Sequence, residues 1–128
     1  MITDHTITFP VGKIKKEDED LLKITKGAML AGIKMATGGN YVQDISRAIE
    51  EHIKKEGKKI NKNLGIIKML AGHGVGYKVH EDPYVQNYDD GSKGAKLVPG
   101  MVLAIEPMVN LGSEDIYQDE DGYTLRTT

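Results

Sequence analysis

Hydrophobic positions recur at helical spacing in two stretches of the first half of the chain. The first stripe comprises Leu22, Met29, Ile33 and Ala36, and the second comprises Val42, Ile45, Ile49 and Ile53. Intervals of three and four residues place the members of each stripe on one face of an amphipathic helix. The pattern therefore predicts a helix over 17–36 and a second one that is capped by Asn40, reaches about Glu56 and ends at Gly57.

The remaining hydrophobic stretches are shorter and richer in β-branched residues, which favours strands. We predict strands over 1–11, 64–70 and 101–109, and a hairpin that joins 115–117 to 123–125 through Asp121 and Gly122. Two helices packed on an antiparallel sheet make an α+β arrangement. A length of 128 residues suits a single domain, 1–128.

The chemically distinctive stretch is AGHGVGYKVHEDP, residues 71–83, where His73 lies between glycines and His80 follows seven positions later. Imidazole is a common ligand of divalent transition metals and the usual proton carrier near neutral pH. A histidine in a glycine-rich turn is, however, more often a hydrogen-bonding turn residue than a ligand. These residues alone leave the metal and proton-transfer roles open.

Glu106 adds a second sign of a site, because it interrupts the apolar run MVLAIEPMVN. A carboxylate within such a run is unfavourable unless it is paired or bound to a cation. A salt bridge to a lysine or arginine is one explanation. The presence of His73 elsewhere in the chain favours metal ligation over that alternative.

The segments GHGVGYKVHEDP and LVPGMVLAIEPMVN resemble the motifs of type I methionine aminopeptidases, metal-dependent enzymes with the pita-bread (creatinase/aminopeptidase) fold. The resemblance extends over 8–128, from FPVGKI to DEDGYTLRTT. Prolidases and other X-Pro peptidases share similar GHG and VHE segments, but they typically read EPG where this chain reads EPMVN. The resemblance implies removal of the N-terminal methionine from nascent polypeptides, and a partial pita-bread fold with two helices on an antiparallel sheet.

The resemblance also implies roles for individual residues. In the family, two aspartates, one histidine and two glutamates hold a pair of divalent metal ions, for which Mn, Fe, Co and Zn are all candidates. His73 matches the ligand histidine and Glu106 matches the first ligand glutamate. His80 matches a catalytic histidine that contacts the substrate, and Tyr123 stands where the family often has an aromatic residue of the methionine pocket.

By these motifs the chain supplies only two of the five ligands. The aspartates belong upstream of TFPVGKI, where Asp4 lies out of motif, and the last glutamate belongs beyond GYTLRTT. We therefore expect a C-terminal-half fragment of the catalytic domain, without the N-terminal ligand region and the final strand. Catalytic metal sites normally use at least three protein ligands, so we expect this chain alone to be inactive or nearly so.

Composition narrows the partners further. Seventeen basic against nineteen acidic residues give a formal charge of −2, which offers no electrostatic case for nucleic acid or a membrane surface. The chain has no cysteine, its first residues lack the charged and apolar regions typical of a signal peptide, and no apolar run approaches the ~20 residues of a membrane span. We expect a cytoplasmic protein that meets nascent N-terminal peptides near the ribosome. Exposed edges of a partial sheet would favour self-association.

Two other functions stay open at this point. Members of the same fold that have lost metal ligands bind polypeptides or RNA-containing assemblies without cutting them. An X-Pro peptidase would need a cleft that accommodates proline. The joint presence of His73, His80 and Glu106 in motif favours a catalytic site over either alternative.

Overall fold

The computed structural model describes residues 2–128, in which two helices are followed by seven short strands. The bounds are α1 Lys16–Met35, α2 Val42–Lys59, β1 Leu64–Ile66, β2 Gly72–Gly74, β3 Glu81–Val85, β4 Leu103–Ala104, β5 Val109–Leu111, β6 Ile116–Gln118 and β7 Leu125–Thr127. The strands form one three-stranded sheet, β3-β2-β4, and two pairs, β1-β5 and β6-β7. Every one of these pairings is antiparallel, so the predicted α+β class is confirmed.

The two helices lie where the hydrophobic stripes predicted them, with differences at the ends of α2. Asp44 accepts a hydrogen bond from the backbone N–H of Tyr41 at 2.9 Å, so Tyr41, and not Asn40, is the N-cap residue. The prediction that Gly57 ends this helix is wrong, because α2 continues to Lys59. Gly57 is buried, and a Cβ there would lie 3.1 Å from the carbonyl oxygen of Lys62. Glycine therefore allows the chain to fold back against the helix.

The helices pack closely because glycines of α1 face large side chains of α2. A Cβ at Gly32 would lie 2.9 Å from Cγ1 of Ile49, and one at Gly27 would lie 2.4 Å from Nε2 of His52. His52 is therefore half-buried against α1. The buried core joins both helices to the strands; its members are Ile24, Ala28, Val42, Ile45, Ile49, Ile53, Ile66, Val85 and Leu97.

The predicted strands are less accurate than the helices. Residues 2–11 form no strand, and Met1 lies outside the described residues. The predicted strand over 64–70 ends at Ile66. The predicted strand over 101–109 is divided into β4 and β5, which belong to different sheets. Pro107 has no N–H to donate to a ladder, so the chain leaves one sheet at this point and enters the next.

The predicted hairpin exists, with a longer connection than a two-residue turn. Gln118 pairs with Leu125, so residues 119–124 connect β6 to β7. Asp121 shapes this loop by accepting hydrogen bonds from the backbone N–H groups of Tyr123 and Thr124. No helix among residues 2–128 combines the length and the apolar character that a membrane crossing requires.

Candidate metal centre

His73 lies at the middle of β2, the central strand of the three-stranded sheet. The glycines on both sides allow the neighbouring strands to approach closely. A Cβ at Gly72 would lie 2.2 Å from the carbonyl oxygen of Ala104, and one at Gly74 would lie 2.2 Å from that of Asp82. His73 is consequently buried between two backbones, with 2% of its surface exposed.

One nitrogen of His73 is used to fix the ring, which leaves the other for a ligand. Nδ1 lies 2.9 Å from the carbonyl oxygen of Gly74, and a carbonyl only accepts, so Nδ1 carries the proton and donates it. In the neutral ring Nε2 then presents its lone pair. A hydrogen bond of this kind from the second nitrogen orients metal-binding histidines generally.

Glu106 lies in the segment between β4 and β5, and its carboxylate faces this lone pair. Its Oε1 lies 3.1 Å from Nε2 of His73. Two lone pairs at that distance repel each other unless a proton or a metal cation lies near both. A salt bridge to a lysine or arginine was the other explanation for Glu106. In the structure Glu106 faces His73, the predicted ligand histidine.

Asp4 completes a group of three, although the sequence analysis left it outside the site. Its Oδ2 lies 3.8 Å from Nε2 of His73. One donor atom from each of Asp4, His73 and Glu106 lies within 4.8 Å of the others. By geometry the chain therefore brings together three candidate ligands, one more than the two that the motifs predict. The signal for Asp4 was its position just upstream of TFPVGKI, where the resemblance places the ligand aspartates.

The electrostatics of the group favour a bound cation. Burial raises the pKa of Glu106 above its usual value and the nearby Asp4 carboxylate raises it further, while His73 and His80 act in the opposite direction. Burial and the Asp4 carboxylate together therefore outweigh the attraction of the two histidines for the ionised Glu106. A divalent ion bound between the two carboxylates would add positive charge, and one imidazole nitrogen with carboxylate oxygens suits Mn, Fe, Co or Zn.

The group opens to the surface on one side. The side chain of His73 is 3% exposed, whereas those of Asp4 and Glu106 are 36% and 41% exposed. The histidine thus forms the buried part of the site, and the two carboxylates lie at the protein surface. A metal ion held here could be reached by a substrate from solvent.

His80 lies beside this group and is not part of it. Its ring centroid is 4.2 Å from that of His73, with the planes inclined by 66°. The preceding loop is closed by Glu81, which accepts a hydrogen bond from the backbone N–H of Lys78 at 2.6 Å. His80 is exposed, so its ring nitrogens are accessible next to the candidate metal ligands.

Tyr123, the predicted residue of the methionine pocket, is not brought to the site by any contact found within residues 2–128. It lies on the loop between β6 and β7 and is 91% exposed. The structure therefore unites His73, His80 and Glu106, adds Asp4, and leaves Tyr123 apart from them.

Comparisons with known proteins identify one enzyme family. Residues 1–126 match the model of metallopeptidase family M24. The chain is 42% identical to the methionine aminopeptidase of Clostridium perfringens over 125 residues, which are 98% of this chain and 48% of that protein.

Solved structures give the same result. A methionine aminopeptidase from Thermotoga maritima matches 94% of this chain and 46% of its own, with 36% identity and a TM-score of 0.85. An X-Pro aminopeptidase from the same organism matches 77% of this chain and 29% of its own, with 20% identity and a TM-score of 0.50, which shows a shared fold alone. The chain spans about half the length of the curated relatives it matches. On the strength of the family match, the partial pita-bread architecture and the clustered donors, the chain belongs to metallopeptidase family M24.

Proposed function

We propose that this chain carries part of the metal centre of a methionine aminopeptidase, which removes the N-terminal methionine from nascent polypeptides. The observation that carries the proposal is the group of Asp4, His73 and Glu106 with His80 beside it. The names of relatives that are 34–43% identical to this chain support the substrate class. The activity is proposed for the whole protein, of which these residues form one part.

The cofactor in this proposal is a pair of divalent metal ions, Mn, Fe, Co or Zn. When bound, such ions lower the pKa of a water molecule toward neutrality, orient the scissile carbonyl and stabilise the developing oxyanion. His73 binds through Nε2, held in place by its hydrogen bond to Gly74. Asp4 and Glu106 bind through carboxylate oxygens and offset part of the metal charge.

His80 acts on the substrate in this proposal. Its exposed ring lies against that of His73, so a peptide bond held at the metal centre would meet one of its nitrogens. Such a nitrogen can donate a hydrogen bond to the peptide oxygen or nitrogen as charge develops. Tyr123 contributes to the methionine pocket only if the rest of the protein brings its loop toward the site.

Two ions need more donors than Asp4, His73 and Glu106 supply. We therefore infer that further carboxylates, from the remainder of the protein or from a second copy, complete the site. Residues 1–128 then form part of a single catalytic domain. Exposed side chains such as Val11 and Tyr77, at 90% and 99%, are available for such packing or for self-association.

A nascent peptide substrate met near the ribosome, and a cytoplasmic location, follow from this activity and stay predictions. The two alternatives have less support. The X-Pro peptidase likeness rests on fold alone at 20% identity. A binding protein without catalysis would not require three donor side chains held within 4.8 Å of one another.

The test is hydrolysis of a methionyl peptide by the 128-residue chain and by the whole protein, each supplied with Mn(II) or Co(II). We expect turnover by the whole protein, its loss in His73→Ala, and no turnover by the chain alone. An inactive whole protein that binds metal would favour the binding-protein alternative. Turnover by the chain alone, abolished by His73→Ala, would show that the 128-residue chain, singly or as paired copies, supplies every ligand that catalysis needs.

A further inference from the structure

We propose that Asn87 is a positioning residue for the metal centre: its side-chain amide fixes the main chain at Glu106 and so directs the Glu106 carboxylate toward Nε2 of His73. The inference rests on the proposed metal centre and assigns a residue that does not touch metal or substrate. It is carried by one buried hydrogen bond, by the place of Glu106 in the chain, and by the packing around Asn87.

Asn87 is fully buried, with 0% of its surface exposed. Its Nδ2 donates a hydrogen bond of 3.2 Å to the main-chain carbonyl oxygen of Glu106. This contact fixes the orientation of the amide, because a carbonyl oxygen can be approached only by the donor nitrogen. Asn87 thus acts on the residue that carries the candidate ligand, through its backbone.

The main chain at Glu106 needs support of this kind. β4 ends at Ala104 and β5 begins at Val109, and the two strands belong to different sheets. Glu106 therefore lies in a crossing between sheets, without a ladder of its own, and Pro107 has no N–H to contribute. A side-chain donor from elsewhere is a direct way to hold this crossing in one conformation.

Asn87 itself is held by a braced segment. It follows β3, whose last residue, Val85, is fully buried in the core. On its other side, Gln43 of α2 donates to the carbonyl oxygen of Tyr88 at 3.0 Å. The next residue, Asp89, is bound by Arg47 of α2 at 2.9 Å. A chain of contacts therefore runs from α2 through Asn87 to Glu106.

The second polar atom of Asn87 does not account for an asparagine at this position. Its Oδ1 is buried without a hydrogen-bond partner among residues 2–128. Buried polar atoms are nearly always paired, since an unpaired one is unfavourable. A leucine of similar size would avoid this unpaired oxygen but would leave the Glu106 carbonyl without its donor. The asparagine is thus explained by the donor that it directs to Glu106.

The test compares Asn87→Leu and Asn87→Ala with Asn110→Leu and Asn110→Ala in the 128-residue chain. Asn110 is a matched control, because it is also buried and donates to a main-chain carbonyl, that of Asp115, outside the candidate ligands. Titration with Co(II) measures metal affinity, and thermal unfolding followed by circular dichroism measures stability. We compare an Asn87 variant with the Asn110 variant whose thermal stability matches it. In such a pair we expect the Asn87 variant to bind Co(II) about tenfold more weakly.

A second readout does not depend on metal. NMR couplings of the Glu106 side chain in the metal-free protein should report one rotamer in the unmodified chain and an average of several in Asn87→Leu. If the unmodified chain binds no Co(II), then Asp4, His73 and Glu106 do not hold a metal ion without further ligands, and the couplings still decide the role of Asn87.

The inference would be overturned by either of two results. One is Asn87 variants that match the Asn110 variants in Co(II) affinity and keep a single Glu106 rotamer. The other is loss of the folded signal in both Asn87 variants while both Asn110 variants stay folded, because Asn87 would then be a general core residue without a specific role at Glu106.

Discussion

Replacing Gly72 by alanine should displace the strand that carries His73 and so weaken metal binding. The structure gives the size of the displacement. The new Cβ would lie 2.2 Å from the carbonyl oxygen of Ala104, whereas real Cβ atoms essentially never come within 3.0 Å, so the backbones must separate by about 0.8 Å or more. The obstacle is backbone on β4, which cannot rotate away as a side chain can.

This shift has two consequences of different size. Overpacking of a well-filled site typically costs about 1–3 kcal/mol of stability. Metal affinity should be more sensitive to this shift than stability is, because the positions of metal ligands must be held to within about 0.5 Å. Since β4 leads directly to Glu106, separating β2 from β4 moves His73 away from that carboxylate. We expect Co(II) affinity to fall at least about tenfold.

The assay is calorimetric titration with Co(II), with unfolding in urea measured on the same samples. Gly38→Ala is the matched control, since a Cβ there meets nothing closer than Pro99 at 3.9 Å. Gly74→Ala should also lower stability, because its Cβ would meet the carbonyl oxygen of Asp82 at 2.2 Å, but it pushes β2 away from β3 and not from β4. A Gly72→Ala protein with the stability and Co(II) affinity of Gly38→Ala would refute the reasoning.

Three further predictions follow from the described contacts. The hydrogen bond from Arg47 lowers the pKa of Asp89, and the N–H of Gly91 lowers it further. Asp89→Asn should therefore destabilise the protein at pH values above the unfolded pKa of about 3.9. The difference in unfolding midpoint between the two proteins should disappear as the pH falls through the lower pKa of the folded state. Ile49→Ala, at a site with 0% exposure, should lower the free energy of unfolding in urea by about 2–5 kcal/mol without changing Co(II) affinity. Because the pKa of Glu106 is raised, an NMR titration of its side-chain carboxyl in the metal-free protein should have its midpoint above the ordinary glutamate value of about 4.3; a midpoint at or below that value would contradict the expected effect of burial.

The helices could be predicted from the sequence because long amphipathic repeats carry their own signal. Ile45, Ile49 and Ile53 recur at intervals of four and all are buried. The ends of α2 could not be predicted as well, because they depend on tertiary contacts. Gly57 looked like a stop signal, but it is required where the chain packs back against the helix.

The strands were harder because each is short and its existence depends on a partner. The run MVLAIEPMV reads as one strand, and only the assignment of its two halves to different sheets divides it. The N-terminal residues have the composition of a strand but find no ladder within residues 2–128. β-propensity describes a fit to neighbours and cannot supply them.

The candidate site could be predicted in part. His73 and Glu106 were identified because glycines flank the one and an apolar run surrounds the other. Asp4 lies just upstream of TFPVGKI but out of motif, on a segment that forms no strand, so its place beside His73 depends on the path of the backbone. Asn87 gave no sequence signal, because its role depends on a single hydrogen bond between residues 19 positions apart.

The most direct test of the account is a Co(II) titration of the 128-residue chain beside Asp4→Asn and Asp18→Asn. The two substitutions change the net charge equally, but only Asp4 lies with His73 and Glu106. The account predicts binding that Asp4→Asn weakens at least about tenfold, with an altered Co(II) absorption spectrum, and that Asp18→Asn leaves unchanged. Equal affinities in all three proteins would contradict the assignment of a metal centre to this group.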